Sequence, residues 1–252
     1  MRRHLSVLLL FVRHSIYKVL LLLAGLGAAE ALLFWRALSL MRADPELSTG
    51  LELAFENAHT ALLFGAAFLL LCVLLAGVGC ELGSRQGYTL NRLSIGPRAV
   101  LVWQAVCNCL YLLLFWAVQI LLVLLLCRWY VSTVDPANAG PQTIFLAFYR
   151  SDLLHALLPM EHTAVYVRNA ILLPAVAVSL ACWPARQRRG GGLPVSVPIA
   201  AVVATLSFRC DATAAANGRL LAAGLVLAIA AFNVYWVSIR RADDETELAV
   251  AP

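Results

Sequence analysis

Three groups of polar residues interrupt an otherwise apolar chain, and each would support a different chemistry. Residues 81–98, ELGSRQGYTLNRLSIGPR, place arginines, hydroxyls and a tyrosine between two long hydrophobic runs. Such a mixture stands in water and meets another surface. Glu30 lies inside a hydrophobic run, where a carboxylate needs a partner or a water-filled cavity, so it belongs to a substrate or proton path or to a polar contact near the outer interface. Asp152, His155, Glu161 and His162 are of metal-ligating types, but their spacing matches no strong zinc pattern, and a solvated loop with no metal is expected.

Several catalytic classes are excluded by what the chain lacks. Lys18 is the only lysine and sits in HSIYKVL, so there is no GxxxxGK[ST] loop to cradle a nucleotide. Neither HExxH nor GxSxG occurs, which removes the common zinc-protease and serine-nucleophile arrangements. Cys72, Cys80, Cys107, Cys109, Cys127, Cys182 and Cys210 include no CxxC pair and lie in or beside apolar runs, where they read as small packing residues. The chain is expected not to be an enzyme.

The elements that position these groups are membrane helices. Apolar residues make up 62% of the chain and charged ones 13%, and the mean hydropathy is +0.83. At about 20 residues per crossing, 252 residues leave room for a single transmembrane domain and little else. Six spans are predicted, at about residues 17–35, 61–80, 99–127, 164–183, 193–208 and 220–239. They follow an interfacial helix over residues 1–15, in which Leu5, Leu8, Leu9, Val12 and Ile16 fall at helical spacing. Residues 45–58 have Leu47, Leu51, Ala54, Phe55 and Ala58 on one helical face and Glu46, Glu52 and Glu56 opposite, a short amphipathic helix capping the outer membrane surface. Residues 131–163 open on a Pro/Gly turn and carry Ile144, Phe148, Leu154 and Leu158, another interfacial or partly re-entrant helix.

Orientation follows from the cations. Arg2, Arg3, Arg13, Lys18, Arg85, Arg92, Arg98, Arg186, Arg188, Arg189, Arg240 and Arg241 fall on one side, and Arg36, Arg42, Arg128, Arg150, Arg168, Arg209 and Arg219 on the other. The richer side is cytoplasmic, with both termini and residues 81–98 on it. Gln104, Asn108 and Gln119 of the third span and Asn233 of the sixth are expected to hydrogen-bond between helices; Gln104 and Asn108, with Glu30, are also the candidates for polar positions along a translocation path. Pro174 and Pro198 would mark broken helices if the chain were a secondary transporter, but neither has glycine-rich unwinding or charges beside it, and proline in a membrane helix needs no such role.

Within residues 81–98 the order is Glu81 at the end of the second span, then Gly87-Tyr88-Thr89-Leu90, then Arg92-Leu93-Ser94-Ile95, then Pro97-Arg98 opening the third. This resembles the cytoplasmic loop of ABC-2-type transporter permeases, and the six-span layout with an amphipathic amino-terminal helix resembles them as well. The family often carries its outer bulk between the fifth and sixth spans. Here that connection is short, and the outer segments follow the first and third spans. The resemblance implies the membrane subunit of an ATP-driven exporter in a bacterial plasma membrane. It would pair with a second copy or a paralogous permease and dock on a separate ATPase subunit that holds the ATP and magnesium. It implies that Glu81, Arg85, Gly87, Tyr88, Thr89, Leu90, Arg92, Leu93 and Ser94 form the coupling contact, that this chain binds no cofactor, and that its other partner is membrane lipid rather than nucleic acid. The alternative is a nucleotide-independent channel or secondary transporter.

Overall fold

A computed structural model describes residues 2–43, 50–78, 96–134, 142–159, 163–187, 194–209 and 216–250. Among these residues there are helices and no strand: α1 (Arg2–Ala43), α2 (Leu51–Asn57), α3 (Thr60–Gly77), α4 (Pro97–Thr133), α5 (Thr143–Arg150), α6 (Asp152–Leu157), α7 (Thr163–Gln187), α8 (Ser196–Arg209) and α9 (Ala216–Val250). Five of them, α1, α3, α4, α7 and α9, contain stretches long and apolar enough to cross a membrane. This is the architecture of a helical membrane protein.

Local chemistry sets several helix ends. Gly96 precedes Pro97 at the first position of α4, where the missing N–H costs no hydrogen bond and the fixed φ suits the helix. His59 separates α2 from α3 at φ 52, a left-handed conformation that a non-glycine residue adopts only where its surroundings hold it. The Thr60 hydroxyl donates to the Phe55 carbonyl across that corner at 3.1 Å.

Helix α7 is the centre of the bundle. Of its most apolar stretch 67% is buried, against 28% for α1, 33% for α4 and 22% for α9. The outer helices instead expose large apolar side chains such as Leu21, Leu32, Leu110, Leu121, Leu221 and Phe232. A helix apolar on both its inner and outer faces is one surrounded by lipid. On α1 the exposed Tyr17 and Trp35 lie about 27 Å apart along the axis, close to the roughly 30 Å between the two interfacial aromatic belts of a bilayer.

Side-chain contacts fix the directions of the helices. Pairs Ser15/Tyr111, Phe34/Trp129 and Arg42/Thr133 climb together along α1 and α4, so these two long helices run parallel. Arg168 reaches Ser207 and Arg186 reaches Ser196, so α7 and α8 run antiparallel. Phe64 and Phe68 of α3, Phe115 and Trp116 of α4 and Phe208 of α8 form an aromatic cluster with centroids 5.2–6.3 Å apart. Helices α2, α5 and α6 sit over one end of the bundle. Phe55 of α2 packs on Phe34 at 5.2 Å, and Arg150 of α5 pairs with Glu52 of α2 at 3.0 Å with both side chains partly exposed. That ion pair contributes little, on the order of 0–1 kcal/mol, so the buried apolar face holds the cap.

Two expectations meet a different outcome. Residues 1–15 were expected to form a separate interfacial helix, but α1 runs without interruption from Arg2 to Ala43, because Arg13, His14 and Lys18 add charge without breaking helical propensity. The expected fifth span is the 14-residue α8, about 21 Å long and short of a roughly 30 Å hydrocarbon core. As expected, the prolines mark no break: Pro174 lies inside an unbroken α7, and Pro198 falls in the first turn of α8, where its N–H is not needed. The apolar stretch of α9, Leu220–Ser238, matches the predicted sixth span, and the helix continues beyond it to Val250. The amphipathic α2 buries Leu51, Ala54, Phe55 and Ala58 as its spacing predicts.

Helices α3 and α8 approach closely at Gly65, where an added Cβ would stand 3.1 Å from Thr205 Cγ2. Gly65→Leu should therefore destabilise the bundle by about 1–3 kcal/mol through overpacking. Thermal unfolding in detergent reads the loss. Gly65→Ala should cost less and be relieved by Thr205→Ser, which removes the opposing methyl.

Candidate functional site

Glu81, Arg85, Gly87, Tyr88, Thr89, Leu90, Arg92, Leu93 and Ser94 lie outside the described residues. The structure does define where that segment is anchored. Gln104 Nε2 of α4 donates to the Val78 carbonyl, just past α3, at 2.9 Å, and both residues are buried. A helix leaves its last carbonyls without intrahelical partners. Gln104 satisfies one of them and ties the end of α3 to the third turn of α4, so the chain on either side of 79–95 is fastened together.

Glu30 and Gln119 meet between α1 and α4. Gln119 Nε2 donates to Glu30 Oε1 at 2.6 Å, and both side chains are fully enclosed. Glu30 Oε2 and Gln119 Oε1 have no hydrogen-bond partner among the described residues. In this conformation the pair is closed to water and to any cargo. Exposing it requires α1 and α4 to separate.

Asn108 Nδ2 donates to the Ala177 carbonyl of α7 at 3.3 Å. Gln104, Asn108 and Gln119 share one broad face of α4, yet each addresses a different helix: α3, α7 and α1 respectively. Tyr111 adds a contact to α1, accepting from the Ser15 hydroxyl at 2.9 Å. Glu30 is thus joined to Gln119 but not to Gln104 or Asn108. The polar residues brace the bundle at separate heights.

Sequence reasoning missed the two ends of α7. Arg168, counted there as an outer arginine, is 1% exposed. Its Nη1 donates to the Ser207 carbonyl at 2.7 Å and its Nε to Asn169 Oδ1 at 3.0 Å, while its guanidinium lies 5.3 Å from the Phe208 ring centre. Asn169 Nδ2 donates in turn to the Ala156 carbonyl at 2.9 Å. One residue pair on α7 therefore caps the carboxyl ends of both α8 and α6. The signal was present: Arg168 falls inside the predicted span 164–183, where a charge calls for a partner.

At the other end of α7, Arg186 Nη1 donates to Asn233 Oδ1 at 3.0 Å and to Ser196 Oγ at 3.3 Å. The Ser196 hydroxyl donates to the same Asn233 oxygen at 2.7 Å, and the guanidinium stacks on Trp236 at 4.3 Å. Helices α7, α8 and α9 are joined there. Among the described residues no cluster of three or more His, Cys, Asp or Glu is placed to hold a metal; Glu161 and His162 lie outside them.

Gln119→Leu should destabilise the chain by about 1–3 kcal/mol, because it strands a buried carboxyl. The double variant Glu30→Leu/Gln119→Leu should recover most of that loss, since both polar partners go together; thermal unfolding of the single and double variants reads the difference. In comparisons with known proteins the chain matches no family model, no curated protein and no solved structure.

Proposed function

We propose that the chain is the membrane-spanning permease subunit of an ATP-driven exporter, coupled through residues 81–98 to a separate ATPase. The observation that carries this reading is the Gln104 bond to the Val78 carbonyl. A push on the segment between these anchors reaches α3 and α4 as a unit and is not absorbed by fraying of their ends. From α4 it passes through Asn108 to α7 and through Gln119 to Glu30 of α1. Rigid helices joined by discrete polar contacts are the kind of element that transmits a displacement.

In this reading both termini and residues 81–98 face the cytoplasm, and α8 is the short fifth of six spans. Tyr88, Leu90 and Leu93 are the apolar anchors on the ATPase, with Arg85 and Arg92 meeting its acids. The ATPase holds ATP and magnesium, and this chain binds neither. A second copy or a paralogous permease completes the assembly in a bacterial plasma membrane. A nucleotide-independent carrier is the second reading, favoured by the carboxyl of Glu30 enclosed between two membrane helices.

Purification from native membranes should bring an ATPase with the chain. Arg92→Glu or Leu93→Asp should leave the protein inserted while abolishing its stimulation of ATP hydrolysis. Gln104→Leu should weaken stimulation without preventing ATPase binding. Unchanged stimulation in the Arg92 and Leu93 variants, or cargo movement in vesicles without nucleotide, would sink the proposal.

A further inference from the structure

Glu30 and Gln119 share one hydrogen bond, although the two side chains can form more. Glu30 Oε2 and Gln119 Oε1 are both buried, and neither has a hydrogen-bond partner among the described residues. With the carboxyl ionised both atoms only accept, so they cannot satisfy each other. One hydrogen atom changes that. A proton on Glu30 Oε2 makes it a donor, and Gln119 Oε1 is the idle acceptor on the side chain already bonded to it. Each then meets the need of the other.

The surroundings supply no counter-charge for a carboxylate. No ion pair of Glu30 occurs among the described residues. On α1 the nearest cations are Arg36, about 9 Å along the axis, and Lys18, about 18 Å the other way; both are exposed, whereas Glu30 is enclosed. Arg13, His14 and Arg42 lie farther off. On α4, Arg128 and Arg98 are about 14 Å and 32 Å along the axis from Gln119, and both are exposed. The remaining ionisable side chains of α4 are its tyrosines and cysteines, and α3 carries only Cys72. Helix α2 adds Glu52 and Glu56, which have the wrong sign. A bare carboxylate in such a place is among the costliest groups to bury, and the neutral acid avoids that cost.

We propose that Glu30 is a proton-binding site, which takes up a proton as α1 and α4 close on it and gives it to water when they part. Closing traps an O–H bond on Oε2 inside the seam. Opening lets water in, the O–H bond breaks, its electron pair stays on the carboxylate, and the proton leaves on water. Enclosure of both side chains shuts out a hydrated ion or a cargo group, whereas a proton bound before closing stays inside. The seam is tight beside the pair: about one turn away, a Cβ added at Gly27 would stand 3.2 Å from Leu122 Cδ2. The closed form holds one proton more than the open form, so rising pH favours opening and falling pH favours closing. Only the meeting of two helices is involved, so the site depends neither on an ATPase nor on carrier activity.

Infrared spectra of the full-length chain in neutral detergent at pH 7 test this, read as a difference from Glu30→Gln. The parent chain should show the C=O stretch of an un-ionised carboxyl, shifted in D2O, and the variant should lack it. Glu30→Gln copies the shape of the protonated acid, accepting from Gln119 Nε2 and donating to Oε1, so its thermal unfolding midpoint should be no lower than the parent's. Above the ordinary carboxyl range, roughly pH 4–5, the folding equilibrium constant of the parent should fall relative to that of Glu30→Gln, by up to about tenfold per pH unit for one proton. The Glu30→Leu/Gln119→Leu chain gives a second baseline, without either polar group. The proposal is overturned by a carboxylate band alone at pH 7, by a pH dependence of stability that is the same with and without Glu30, or by a Glu30→Gln chain less stable than its parent at pH 7.

Discussion

The hydrogen bond from Arg168 to the Ser207 carbonyl is the contact on which the arrangement of the bundle depends. Helix α8 is shorter than a roughly 30 Å hydrocarbon core is thick, and Ser207 and Phe208 near its end are buried inside the protein. In a hydrocarbon setting every carbonyl there must find an internal partner. Arginine meets this requirement from a distance, since its long stem lets a residue near the start of α7 reach the end of an antiparallel neighbour. Its positive charge also complements the negative end of the α8 dipole. Because Asn169 does the same for α6, α7 must lie within reach of both, and it becomes the most enclosed helix of the fold.

A second set of constraints radiates from α4. Apolar packing does little to choose between registers when lipid is as apolar as the helix surface, so directional contacts have to set them. Gln104, Asn108, Tyr111 and Gln119 supply those contacts to three different helices. The aromatic cluster around Phe64, Phe115 and Phe208 then fills the space that the polar contacts have aligned. Polar side chains choose the register, and aromatic ones give it density.

This division explains what could be read from the sequence. Helical spacing is a local property, so the long apolar helices and the buried face of α2 were legible, and the interhelical role of the α4 amides followed from their depth in a span. The continuity of α1 through Arg13, His14 and Lys18 was not, because charge marks exposure to water and does not end a helix. The caps formed by Arg168 and Asn169 were hidden for a different reason. Each joins residues distant along the chain, and nothing in the Ser207 or Ala156 backbone carbonyls distinguishes them from any others in the sequence. Glu30 stood out as a lone acid, but its partner became identifiable only once α1 and α4 were seen to run parallel.

The two arginines of α7 show how burial alone divides one residue type into two roles. Arg168 is enclosed, and its donors turn to backbone carbonyls and an adjacent amide, so its charge is absorbed by the dipolar ends of helices. Arg186 has comparable stacking and amide contacts, made among the described residues through Nη1. It remains half exposed, in the last turn of α7 and beside the amino end of α8. The carboxyl end of its own helix favours its charge while the amino end of α8 opposes it. Arg168 has the reverse setting, near the start of its own helix and at the carboxyl end of α8, so one helix pair steadies a guanidinium at each of its two ends.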